Sequence, residues 1–151
     1  MMKQVFLILF AVLSIQLVKS IELEPRAGIG GVYEWGLHAG AYVSFPVSNV
    51  FAIQTGGLLY SGDNWKNSSS KWNIGLNIPV YASFRLPVSQ TTNIRLSAGP
   101  YVGIASLGQL GFSAETGVEV KKVYIGAAIF QNCLNKKDTQ VGISVGYKFA
   151  L

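Results

Sequence analysis

The chain holds one histidine, His38, and one cysteine, Cys133. A histidine beside a hydroxyl and a carboxylate can serve as a general base. Ser61, Asp63 and Glu34 are the groups nearest in the strand pattern that could approach His38. Such a set would make the chain a candidate lipid-modifying enzyme if it sits in a membrane. These residues have no motif spacing, and a catalytic constellation is defined by geometry rather than by residue type. A histidine at the rim of a strand is therefore the preferred reading, with no catalytic residue expected. One histidine and one cysteine are too few for a structural zinc site. No phosphate loop or nucleotide fingerprint occurs, so neither metal nor cofactor is expected. Cys133 has no partner for an internal disulfide and reads as a free, partly buried thiol.

A second group of reactive side chains has a clear period. Within 71–87, KWNIGLNIPVYASFRLP, every second residue from Trp72 to Leu86 is apolar, and Arg85 falls on the other face. Such alternation marks a β-strand with two unlike faces. The same parity puts Arg95, Glu115, Glu119 and Lys148 on the polar face of later segments, with Arg26 and Glu34 near the start. Both signs of charge on one face allow ion pairing, which buried charges require.

Eight alternating segments hold these residues: 24–35, 37–47, 50–61, 72–86, 93–107, 110–120, 123–134 and 140–151. Their breaks are turn-forming stretches, the longest being GDNWKNSSSK at 62–71. At 11 to 15 residues they exceed the usual five or six of soluble strands. They suit the ~9–11 residues that a tilted strand needs to cross hydrocarbon. The opening MMKQVFLILFAVLSIQLVKS has a basic start, a short apolar run and small residues at Val18 and Ser20. It reads as a secretory signal peptide over 1–20, leaving 21–151 as one domain. Loss of Lys3 and Lys19 with it lowers the net charge from +5 to +3. With no basic cluster, nucleic acid is not expected as a partner. Only 13% of the chain is charged, against about 25% in soluble domains.

The expected fold is all-β: an eight-stranded antiparallel up-and-down transmembrane β-barrel. Ile74, Leu76, Ile78, Val80, Leu96, Val102, Phe112, Val118, Ile143 and Val145 would face lipid. Arg26, Glu34, Arg85, Arg95, Glu115, Glu119 and Lys148 would form a charge network in the lumen. Glycines such as Gly75, Gly99, Gly117, Gly126 and Gly146 lie on the polar face. A narrow lumen packed with large side chains needs such gaps. Trp35 and Trp72 fall toward one end of the apolar face, and Phe45, Phe51, Phe84 and Phe149 toward the other. Two such belts mark membrane interfaces. Eight strands leave an interior that side chains just fill, so the charges read as a plug rather than a conduit. The competing arrangement is a soluble, lipocalin-like ligand-binding barrel with its apolar face inward.

The stretches FPVSNVFAIQTGGLLYS (45–61), LNIPVYASFRLP (76–87) and NIRLSAGPYVGI (93–104) resemble small outer-membrane barrels of the PorT-like family of Bacteroidetes. The resemblance implies an integral outer-membrane protein of eight antiparallel strands. The expected barrel is a monomer in contact with outer-membrane lipid. Some relatives act in protein secretion, a role that the fold alone does not transfer. The last strand resembles the signal read by the outer-membrane assembly machinery, through Ser144, Gly146, Phe149 and Leu151. Leu151 stands there in place of the usual final aromatic. The expected role is structural or interaction-based, with no specific partner legible.

Overall fold

Polar and apolar residues alternate along the chain, and the backbone follows with long strands. A computed structural model describes residues 3–4, 20–31, 35–61, 74–104, 109–134 and 139–151. The strands are β1 Glu22–Gly31, β2 Gly36–Pro46, β3 Phe51–Ser61 and β4 Ile74–Pro87, then β5 Thr92–Ile104 and β6 Gln109–Val120. β7 Val123–Asn132, β8 Thr139–Tyr147 and a two-residue β9, Phe149–Ala150, complete the series. Each strand from β1 to β8 pairs antiparallel with the next. β1 also pairs with β8, which closes the sheet. β9 continues β8 beyond Lys148 and pairs with β1 through Leu23 and Phe149. The result is a closed eight-stranded antiparallel barrel, with the eighth stave interrupted once.

The ladder is broken at three places, and each break contains a proline. Pro25 lies opposite the gap between Gly146 and Phe149 at the closing seam. Pro79 lies in the gap of the β3–β4 ladder between Thr55–Val80 and Leu58–Asn77. Pro100 lies in the gap of the β4–β5 ladder between Pro79–Tyr101 and Ala82–Ala98. Proline has no backbone N–H to give a neighbour, so the ladder opens where it stands. The Thr55 hydroxyl reaches into one opening and donates to the Pro79 carbonyl at 2.9 Å. At the seam, the Lys148 amide donates to the Lys122 carbonyl at 2.7 Å.

The turns at the end holding Ile21 and Leu151 are tight. In the β2–β3 turn the Ser48 hydroxyl accepts from the amides of Val50 and Phe51. Lys121 and Lys122 join β6 to β7, with Lys121 at φ 55°. At the opposite end, the expected loop 62–71, Trp72 and most of the expected 135–139 loop lie outside the described residues. So does nearly all of the expected signal segment.

Side-chain parity settles which face is inside. Tyr42, Tyr81, Tyr101, Tyr124, Arg95, Glu24, Glu119, Asn77 and Gln54 are buried in the lumen. Ile74, Val80, Val102, Phe112, Ile143 and Val145 are exposed on the outside. The apolar-inside arrangement of a lipocalin-like barrel is therefore not that of this chain.

Candidate functional site: the lumen charge network

β1 places Glu22, Glu24 and Arg26 at successive inward positions. The Arg26 guanidinium pairs with Glu24 on its own strand and, across the lumen, forks onto Glu115 of β6, one arm at 3.0 Å. Arg95 of β5 forks onto Glu24 at 2.6 and 3.1 Å and reaches Glu119 at 2.7 Å. Arg85 of β4 pairs with Glu22 and approaches Glu119 at 3.6 Å. Lys148 pairs with Glu119 and lies 3.5 Å from Glu22. The set comprises four acids (Glu22, Glu24, Glu115, Glu119) and four bases (Arg26, Arg85, Arg95, Lys148), so its net charge is zero. Forked guanidinium–carboxylate contacts are the geometry in which such buried charges are best satisfied.

Tyrosines pack against this network. The Arg26 guanidinium lies 4.1 Å from the Tyr42 ring centre and 4.4 Å from that of Tyr124. Arg95 lies 4.0 Å from the Tyr124 ring centre. The Tyr124 ring in turn covers two glycines: a Cβ on Gly117 or Gly126 would collide with it. A Cβ on Gly146 would come within 2.9 Å of Arg26 and 3.1 Å of Glu24. The glycines of the inner face are thus the floor on which large side chains lie.

Among the described residues, charge is confined to the half of the lumen nearer the termini. Beyond it the filling is neutral. Tyr81 and Ser113 share a hydrogen bond of 2.6 Å, and the Asn77 amide donates to Gln140 at 3.1 Å. Tyr101 meets Phe130 edge-on at 5.1 Å, beside buried Leu58. The void between Arg26, His38, Phe130 and Gln140 measures about 10 Å³, about the space of a single water.

His38 is not at a rim. It is 6% exposed and lies inside the barrel over Gly28 and Gly142. Neither ring nitrogen has a partner among the described residues. Ser61 is on the opposite face of the sheet, where its hydroxyl donates to the Leu37 carbonyl at 3.1 Å. The structure therefore does not bring His38 and Ser61 together, and Asp63 and Glu34 lie outside the described residues. Cys133 is exposed, not partly buried: it lies just past the end of β7 at Asn132, with its amide still donating to the Leu110 carbonyl at 3.0 Å.

Two members of the network, Glu22 and Glu24, are absent from the set expected from sequence. They share β1 with Arg26 at period two, and that spacing is the signal that could have found them. Glu34, expected in the network, is outside the described residues.

On the outer surface no position of the described strands carries a charge. Leu76 and Ile78 are half-buried there, between exposed Ile74 and Val80, while Leu96 and Val118 are exposed. Phe51 and Phe84 pack at 5.2 Å near the end that holds the termini, with Phe45 on the neighbouring strand. Phe149 lies 4.8 Å from Tyr147, an aromatic outside the expected belt. Trp35 is exposed at the opposite end, and Trp72 lies outside the described residues. Ser144 and Gly146 face the lumen, and the Leu151 amide donates to the Ile21 carbonyl at 2.8 Å.

Fold and lumen together define a small closed barrel with an apolar exterior and a polar, filled interior. No family model matches the chain, and no curated protein matches it in sequence. Solved structures of small bacterial barrels do match in fold. Neisserial surface protein A is 12% identical, with a TM-score of 0.67 over 87% of this chain and 96% of that one. The N-terminal β-barrel domain of OprF from Pseudomonas aeruginosa is 12% identical, with a TM-score of 0.60 over 87% and 98%. The outer membrane protein OprG from the same organism is 8% identical, with a TM-score of 0.53 over 90% and 99%.

Proposed function

We propose that the chain is an integral protein of a bacterial outer membrane, with a structural or interaction role and a plugged lumen. One observation carries this reading: the outward face is uncharged on every described strand, while the charges of the strands are gathered inside and paired. An uncharged outward band is what hydrocarbon requires, since a charge at the bilayer centre costs several kcal/mol. A closed ladder leaves no strand edge unpaired in lipid. The fold-level match to outer-membrane barrels and the resemblance of 45–104 to PorT-like barrels of Bacteroidetes support the same assignment. In this reading residues 1–20 are removed on export. Ile74, Leu76, Ile78, Val80 and the corresponding residues of the other strands contact lipid. The assembly machinery engages the last strand through Ser144, Gly146, Phe149 and Leu151, and the barrel is a monomer.

In this reading the ion pairs and the tyrosine rings packed on them fill the lumen as a stiffened plug and not a conduit, which the arginine contacts to Tyr42 and Tyr124 support. The test is membrane fractionation with boiled and unboiled gel samples. An outer-membrane band whose mobility shifts on heating is the expected result. A soluble periplasmic protein with no shift would overturn the assignment.

A further inference from the structure

The outer face is not uniformly convex. Ala82, Ala98 and Ala114 are register partners on β4, β5 and β6. With Ala127 of β7 they line a shallow apolar groove of about 510 Å³, between the larger Phe84 and Ile129. That volume falls within the ~300–1,000 Å³ of small-ligand sites. Two of the strands it crosses, β6 and β7, end in the Lys121–Lys122 turn. Both lysines are exposed, and neither takes part in the lumen network. The other two turns at that end, 47–50 and 88–91, carry no charge. Among the described residues, the exposed positive charge of this rim is therefore concentrated at the foot of the groove.

We propose that the groove and the lysine pair form one site for an anionic phospholipid of the leaflet facing the termini. An acyl chain lies along the alanines and the phosphate meets Lys121 and Lys122. The dimensions agree. Thr116 and Ala127, which pair across β6 and β7, each lie five residues from the turn lysine of their own strand. Five residues span about 17 Å along a strand, or about 13 Å of depth at a ~40° tilt. Half of a ~30 Å hydrocarbon core is about 15 Å, so a chain anchored at the turn reaches the groove. A second copy of the barrel fits less well. A two-fold interface sets like against like, which would face hollow against hollow and bring four lysines together.

This inference rests on the outer-membrane reading, and the experiment separates the two. The barrel is refolded into vesicles with equal phosphatidylglycerol and phosphatidylcholine, checked by its heat-dependent gel shift, then released into mild detergent for native mass spectrometry. One retained phosphatidylglycerol is expected, favoured over phosphatidylcholine on the order of ten-fold, since two lysines at an anionic surface act together. Lys121→Gln with Lys122→Gln should bring the two lipids to parity. Ala98→Phe, which fills the groove from outside, should abolish retention while leaving the gel shift intact. Equal retention of both lipids by the unaltered protein, or retention unchanged in Ala98→Phe, overturns the site. A lipid-free dimer assigns the groove to a second copy and overturns it as well. Failure of the chain to insert at all refutes the outer-membrane reading along with it.

Discussion

Replacing Arg95 by methionine is the sharpest test of a dry, paired lumen. Arg95 is fully buried, forks onto Glu24, reaches Glu119 at 2.7 Å and lies 4.0 Å from the Tyr124 ring centre. Methionine keeps much of the volume and removes the charge. Glu24 retains Arg26, and Glu119 retains Lys148, so the network goes from neutral to one net negative charge. Breaking a buried pair by removing one partner costs about 3–5 kcal/mol. That range already includes the lost ring contact, since these terms are not additive. Arg95→Met should therefore lower stability by about 3–5 kcal/mol, read from reversible urea unfolding in phospholipid vesicles. Adding Glu24→Gln restores neutrality and leaves Arg26 on Glu115, so the double variant should be more stable than Arg95→Met alone. A loss below about 1 kcal/mol in Arg95→Met, the scale of exposed ion pairs, would mean that water solvates these groups. The plug argument would then fail.

Three further outcomes follow from the geometry. Ile78→Arg puts a charge on the outer face and should cost about 2–4 kcal/mol in the same vesicle assay; a near-neutral effect would show that hydrocarbon does not cover this position. Gly99 and Gly57 should respond with opposite signs to alanine. A Cβ on Gly99 collides with the Val80 carbonyl, a backbone atom that cannot yield, and should cost about 1–3 kcal/mol. A Cβ on Gly57 meets only the Leu76 side chain at 3.3 Å, so Gly57→Ala should be neutral or gain up to about 1 kcal/mol; equal losses at both sites would contradict this spacing of the strands. Cys133 is exposed at the end away from the termini, and a membrane-impermeant maleimide should label it on intact cells. Labelling only after the outer membrane is opened would mean the reverse orientation.

The strands are legible in the sequence because their period is strict and their turns are short. β4, β5 and β6 alternate without error over 12 to 14 residues. β1 is less legible, because Pro25 interrupts its pairing and Leu23 follows Glu22 at its very start. The alternation there points to a strand beginning two residues late, at Glu24, which leaves Glu22 outside the strand and Glu24 at its very edge. Strand parity can be counted along the chain, but partnership across the lumen cannot. Arg26 and Glu115 are 89 residues apart and meet only because the barrel closes with one particular stagger. His38 escapes a sequence reading for a related reason. Its position near a strand end suggests a rim, whereas Gly28 on the flanking β1 and Gly142 on β8 beyond it leave room for the ring to lie inward. Burial of that kind depends on neighbours that are distant in sequence.

The distribution of the eight lumen charges has a consequence for the order of assembly. Five belong to the later part of the chain: Arg85, Arg95, Glu115, Glu119 and Lys148. The other three, Glu22, Glu24 and Arg26, come from β1 and complete the forks on β5 and β6. A sheet that has formed β2 to β8 but not the seam therefore holds Arg95 and Glu115 without their forked partners. Such a sheet must keep water along its concave side. Closing the seam and drying the interior then become a single event, triggered by the arrival of the strand synthesised first. Until that strand docks, the forks of Arg26 and Arg95 that seal the finished barrel do not exist.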